Sequence, residues 1–297
     1  MMKSESTVEQ HGSGAPVAFT LDGLTYAGIE WRREKPSTII AIHGWLDNAL
    51  SFAELGPRLA PYRVIALDLS GHGLSDWRSP DATYNIWDDV PQLAALTRSL
   101  GDQSVVILGH SRGAAIATIL AGILGPACSH LVLIDGLINA FNDDNNTTDQ
   151  LTRFVTDRQK YMTRAPRIFQ SVEEFVERRR AFGFDDDSAY KLAPRALEAV
   201  ETGFRLRTDP RLHGASALWL SAQQRDEIYA SVTAPVLAIR AQDGLFSRSG
   251  VPGKMLGEAG CHFKKFEQLE LNGGHHLHMS ETTAPALAEA ITTFIAS

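Results

Sequence analysis

Five short runs, Thr38–Ile42, Val64–Leu67, Val105–Leu108, Leu131–Ile134 and Val236–Ile239, constrain this 297-residue chain more than any other feature. Each is apolar almost without interruption, whereas a strand with one wet face alternates apolar and polar residues. Strands of that kind are covered on both faces. Between them, Trp87–Leu100, Gly113–Leu124 and Thr283–Ile295 carry helical spacing. Strand therefore alternates with helix, which predicts an α/β fold, a parallel sheet with helices on both faces. Phe19–Asp22 and Thr25–Trp31, split at Asp22-Gly23, predict an antiparallel hairpin at one edge of the sheet.

The alternation stops from about Leu137 to Ser231, where charge density rises and no comparable strand run occurs. Apolar residues there follow helical spacing: Leu151, Phe154 and Val155 with Arg158, then Val172, Phe175 and Val176 with Arg179, then Leu192, Ala196 and Val200. A helical insertion between two sheet strands reads as a lid. The polar stretch Asn142–Asp149 is expected to join it to the core and let it move. The expected organisation is a flexible tail over 1–15, a core over 16–136 and 232–297, and a helical cap over 137–231.

Composition narrows the function classes. With 44% hydrophobic and 21% charged residues the profile is that of a soluble globular protein. The 28 basic and 35 acidic residues give a net charge of −7, and the only basic run is Arg178–Arg180, so nucleic acid is not an expected partner. Cys128 and Cys261 are too few for a disulfide framework and form no C-x-x-C pair, which suggests a reducing compartment. Met1–Ala15 lacks the apolar segment of a signal peptide, and Ala114–Leu124 falls short of the roughly 20 residues of a membrane span. A cytoplasmic location follows as the expectation; oligomeric state is left open.

Chemistry enters with Gly109-His-Ser-Arg-Gly113, a G-x-S-x-G motif with a strand before it and a helix after it. A serine on so sharp a turn needs glycine on either side and projects its hydroxyl out of the sheet. At the helix N-terminus free N–H groups favour a developing oxyanion. A hydroxyl attacks only when a base takes its proton, and Gly273-Gly-His-His-Leu-His-Met279 supplies histidines. His275, directly after the glycine pair, is the expected base, with His276 and His278 as structural histidines. No second Cys/His motif accompanies the loop, so no metal is expected. Ile42-His-Gly-Trp-Leu46 closes an early strand, and the backbone N–H groups of Trp45 and Arg112 are the expected oxyanion donors. Trp45, with His110 and Asn48, is expected to contact substrate.

Together these residues resemble the α/β-hydrolases, and within them the serine hydrolase-like group. The resemblance rests on HGWLDN (His43–Asn48), ALDLSGHGLSD (Ala66–Asp76), GHSRG, LVLIDGL (Leu131–Leu137), DPRL (Asp209–Leu212), RAQDGLF (Arg240–Phe246) and GGHHLHM, and runs from about Phe19 to the C-terminus. It implies a mostly parallel eight-stranded sheet, a helical cap between the sixth and seventh strands, and hydrolysis of an ester or similar acyl compound. Epoxide hydrolases and haloalkane dehalogenases are disfavoured because they attack with an aspartate, and position 111 is Ser. The resemblance also implies that Asp68, Gly71, His72, Gly73 and Ser75 form a structural turn. The chain departs from the commonest pattern at the acid: Ala241-Gln-Asp-Gly244 puts Gly where Asp usually stands. Asp135, after the sixth strand, is preferred, with Asp243 as the alternative. The expectation is a cofactor-independent serine hydrolase acting on a small or medium carboxylic ester. A non-hydrolytic small-molecule receptor, or a lyase or cofactor-free oxygenase on the same fold, is the other reading.

Overall fold

In a computed structural model that describes residues 14–138, 146–247 and 255–297, the apolar runs become neighbouring strands. Side chains of β3 (Thr38–Ile42) point alternately to two cores: Ile40 and Ile42 to one, Ile39 and Ala41 to the other. The same split divides β4 (Arg63–Leu67), β5 (Val105–His110), β6 (Cys128–Ile134) and β10 (Val236–Asp243). Uninterrupted apolarity is thus the mark of a sheet buried on both sides. Each fully buried Ile or Leu contributes about 1.5–3 kcal/mol through water exclusion.

The first core is closed by α2 (Val90–Leu100), α3 (Arg112–Leu124) and α8 (Met255–Gly260), the second by the short α1 (Leu55–Arg58) and α9 (Ala284–Ala296). In α9, Leu287, Ala288, Ile291 and Phe294 form one buried stripe at helical spacing. The sheet runs β1-β2-β4-β3-β5-β6-β10-β11, with β1 (Ala15–Leu21), β2 (Leu24–Trp31) and β11 (Phe266–Gly274) completing eight strands. β2 pairs antiparallel with β1 and β4, and every other pair is parallel. No helix among the described residues is long and apolar enough to cross a membrane.

The insertion between β6 and β10 is not wholly helical. It holds α4 (Thr147–Thr163), α5 (Val172–Arg180), α6 (Asp186–Ala196) and α7 (Ala222–Ser231), and also a small sheet of β7 (Ile168–Phe169), β8 (Leu197–Val200) and β9 (Gly203–Leu206) in the order β7-β9-β8. Val200, expected on a helix with Leu192 and Ala196, lies instead on β8. Pro194 in the last turn of α6 removes a backbone donor, the helix ends at Ala196, and Leu197–Val200 pairs with Gly203–Leu206. Tyr229 of α7 joins the first core, so this last helix packs with the main body although it was counted with the cap. Of the expected hinge Asn142–Asp149, residues 142–145 lie outside the described residues.

Buried polar ties bind the α5–α6 part to the core. Arg179 Nη2 meets Asp47 Oδ1 at 2.6 Å, and Arg195 reaches Asp68 Oδ2 through Nη2 at 2.7 Å and Nε at 3.0 Å. Breaking such a pair leaves a charge buried without its partner, which costs about 3–5 kcal/mol. By contrast α4 buries no residue completely.

Candidate active site

β5 stops at His110 and α3 starts at Arg112, so Ser111 takes the whole turn alone at φ 52 and ψ −119. A non-glycine residue in that region is strained and persists only where its surroundings hold it. Here the Ser111 N–H donates to Ile134 O at 3.0 Å. The flanking glycines are required by space: a Cβ on Gly109 would lie 2.3 Å from Gly113 O, and one on Gly113 would lie 2.2 Å from Ile42 O. The turn therefore sets Oγ at the helix N-terminus, beyond the carboxyl ends of the strands.

His275 follows β11 and faces that hydroxyl. Ser111 Oγ is 3.0 Å from His275 Nε2, and His275 Nδ1 is 2.6 Å from Asp135 Oδ2. Asp135 Oδ2 accepts from Nδ1–H, which leaves the Nε2 lone pair free to accept from Oγ–H. Asp135 is fully buried at the end of β6 with φ 42, and its carboxylate also accepts the Ala241 N–H at 3.1 Å and the Leu245 N–H at 2.7 Å. Asp243, the alternative acid, is exposed at the end of β10, beside Gly274 in the register. The β10–β11 register shifts between Ala241 and Asp243. Gly244 then has a physical reason: a Cβ there would stand 2.3 Å from Asp135 Oδ2. The space of a side chain at 244 is filled by the carboxylate of 135.

A nest of buried imidazoles surrounds His275. His110 lies 4.1 Å from His278 and 4.7 Å from His275 between ring centroids, and His276 stacks on Phe184 at 3.6 Å. Burial first, then the neighbouring histidines, pushes His276 down to about 2 and His278 down to about 3. Burial likewise lowers His43, His72 and His110. Ring nitrogens of His110, His275 and His276 lie within 4.8 Å of one another. However, His110 Nε2–H donates to His275 O at 2.9 Å and both His275 nitrogens are engaged by Asp135 and Ser111, so a metal ion there would have to displace those bonds.

These shifts dictate a pH dependence of stability. An unfolded histidine titrates near 6.5, whereas the folded ones stay neutral far below that, so the unfolded chain alone takes up protons as pH falls. Stability is fully present above about pH 6.5 and drops below it, by about 1.4 kcal/mol per pH unit for each such histidine. Urea unfolding between pH 7.5 and 5 is expected to show that loss, with the slope reduced by about one proton in His278→Phe. A stability flat over this range would contradict the buried neutral nest.

Ser111 opens on a cavity of about 440 Å³. Trp45 and Arg112 line it beside the serine. Arg112 is the first residue of α3, so its N–H has no carbonyl one turn back to bond. The Trp45 indole Nε1–H donates to Leu212 O at 2.8 Å, fixing this wall to the insertion.

Two residues expected to contact substrate are elsewhere. His110 is fully buried under His275, because the strained turn at Ser111 leaves the last residue of β5 pointing into the protein. Asn48 is buried too: its Oδ1 accepts the Leu50 N–H as the cap of a 3₁₀ turn, and its Nδ2 donates to Leu192 O at 3.0 Å. The cavity wall is formed instead by Tyr84, Trp87 and Trp219, to which the sequence assigned no role at the site, and by Phe154, expected only as part of a helical apolar stripe.

A family model described as the alpha/beta hydrolase fold matches residues 37–282. The chain belongs to the α/β-hydrolase family. This α/β-hydrolase is similar to a serine hydrolase-like protein of Dictyostelium discoideum, 27% identical over 280 residues that span 88% of this chain and 76% of the relative. It is also similar to serine hydrolase-like protein 2 of Homo sapiens, at 27% identity over 89% of this chain and 88% of that one. Among solved structures, a hypothetical protein of Pseudomonas aeruginosa PAO1 matches this α/β-hydrolase with a TM-score of 0.87 and 33% identity, over 95% of this chain and 99% of the other.

Proposed function

We propose that this protein is a serine hydrolase that cleaves a small or medium carboxylic ester through an acyl-enzyme on Ser111. The observation that carries the reading is the unbroken line of hydrogen bonds from Ser111 Oγ through His275 to the buried Asp135, ending at a cavity. His275 Nε2 takes the hydroxyl proton as Oγ bonds to the ester carbonyl carbon. The N–H groups of Arg112 and Trp45 hold the oxyanion, and Asp135 stabilises the imidazolium. As the tetrahedral intermediate collapses, the bond to the alcohol oxygen breaks and His275 returns the proton to it. Water, deprotonated by His275, then attacks the acyl carbonyl, and the acid leaves as Oγ regains its proton. The insertion between β6 and β10 serves as a lid over the cavity, to which α4 contributes Phe154 and Arg158.

A series of p-nitrophenyl esters of increasing chain length tests the reading, with turnover expected for wild type and lost in Ser111→Ala. Trp45→Phe belongs in the same series. It keeps the backbone N–H and removes the indole bond to Leu212 O, so KM and chain-length preference are expected to move more than kcat. A loss of roughly a hundredfold or more in kcat, the scale of a deleted oxyanion donor, would contradict a purely backbone contribution from Trp45.

A further inference from the structure

Among the described residues, the cavity beside Ser111 is lined by three arginines, Arg112, Arg158 and Arg211, and by no aspartate or glutamate. Arg211 is neutralised, with Nη2 2.6 Å from Asp209 Oδ2. Arg158, on α4, gives Nη1 and Nη2 to the carbonyls of Ala82 and Pro80 at the rim. Arg112 follows the serine in the chain and lines the cavity with it. Its guanidinium makes one hydrogen bond among the described residues, from Nη2 to Tyr84 O at 2.6 Å. Asp88 and Asp89 act on it only through space. Asp89 is taken by Tyr26, Ser70 and Arg78, and Asp88 by Thr83 and Asn85.

Arg112 is half-buried and lines the cavity, and the burial of its guanidinium lowers its pKa. A guanidinium cannot discharge in a protein, and burying part of it with no carboxylate bonded to it carries a cost. Such a cost is offset when the partner arrives with the ligand. The fork of N–H donors matches an oxyanion and forms charge-assisted bonds about twice as strong as neutral ones.

We propose that Arg112 receives an oxyanionic group of the substrate, a carboxylate or a phosphate, so that the ester cleaved at Ser111 carries a second, anionic end. This rests on the reading of Ser111 as nucleophile. It divides Arg112 into two roles, with the backbone N–H facing the reacting oxygen and the side chain facing the distant charge.

Three esters of matched length test it: p-nitrophenyl hexanoate, mono-p-nitrophenyl adipate and p-nitrophenyl 5-phosphonopentanoate. Wild type is expected to cleave one of the anionic esters with kcat/KM at least tenfold above the hexanoate, and which one identifies the anion. Arg112→Met is expected to lower that ratio tenfold or more, and Arg112→Lys to restore part of it. A wild type that cleaves the hexanoate as well as both anionic esters overturns the proposal and leaves the esterase reading standing. A preference that survives in Arg112→Met overturns the assignment to this side chain. Thermal unfolding supplies a readout independent of turnover: the monoamide of adipate or 5-phosphonopentanamide, and not the uncharged hexanamide, is expected to raise the Tm of wild type and not of Arg112→Met. Anion stabilisation without cleavage of any ester keeps the anion site and removes the esterase reading. Neither cleavage nor stabilisation removes both.

Discussion

Ser111→Ala is expected to lower kcat by on the order of 10⁴ to 10⁶, and His275→Ala by a similar factor, since residues that act as one unit are not additive. The double variant should be scarcely worse than either single one. The geometry behind this is a single shared proton path, with Oγ 3.0 Å from Nε2 and no second histidine bonded to the hydroxyl among the described residues. His276 is the control. Its ring stacks on Phe184 at 3.6 Å and is buried, so His276→Ala should lose stability through the vacated contact and keep the chemistry. An inactive but folded His276→Ala beside an active His275→Ala would reassign the base. Steady-state rates on the best p-nitrophenyl ester, with circular dichroism on each variant, make the measurement.

Asp135→Asn is expected to fold and to lose on the order of 10⁴ in kcat, because the amide no longer holds the imidazole in the required tautomer or stabilises its charged form. The side-chain carbonyl oxygen can still accept one of the N–H groups of Ala241 and Leu245 that now bond the carboxylate, so the loop after β10 keeps an anchor. Asp243→Asn replaces an exposed residue and should change stability by no more than about 0.5 kcal/mol and activity scarcely at all. Kinetics and urea unfolding of the two variants separate the assignments. An active, folded Asp135→Asn together with an inactive Asp243→Asn would move the acid to β10.

The main sheet was legible because a strand buried on both faces has no polar positions, and Ile39–Ile42 or Val105–Leu108 admit little else. The sharp turn at Ser111 was legible because only glycine fits at 109 and 113, which leaves a pattern in the sequence. The two aspartates were harder. What separates them is a register shift at Ala241 and Asp243 and the volume vacated at Gly244, and both depend on how β10 lies against β6 and β11. The small sheet of the insertion was missed since β7 has two residues and β8 and β9 four each, too few for a period to emerge. In β8 the helical spacing of Leu192, Ala196 and Val200 was overridden by pairing with β9. The contacts expected from His110 and Asn48 failed for a related reason. Closeness in sequence to the serine or to Trp45 does not set the direction of a side chain, and both point into the protein. Cavity walls drawn from separate segments, such as Tyr84, Phe154 and Trp219, leave no local pattern that marks them as one wall.

Covalent capture tests the central claim most directly, because it asks for a nucleophilic Ser111 without assuming a substrate. Wild type treated with a fluorophosphonate and weighed intact is expected to gain one adduct, mapped to Ser111 by peptide analysis. Ser111→Ala should gain none, and Asp135→Asn should label far more slowly. A folded wild-type protein that stays unmodified, or an adduct that persists in Ser111→Ala, would contradict the account.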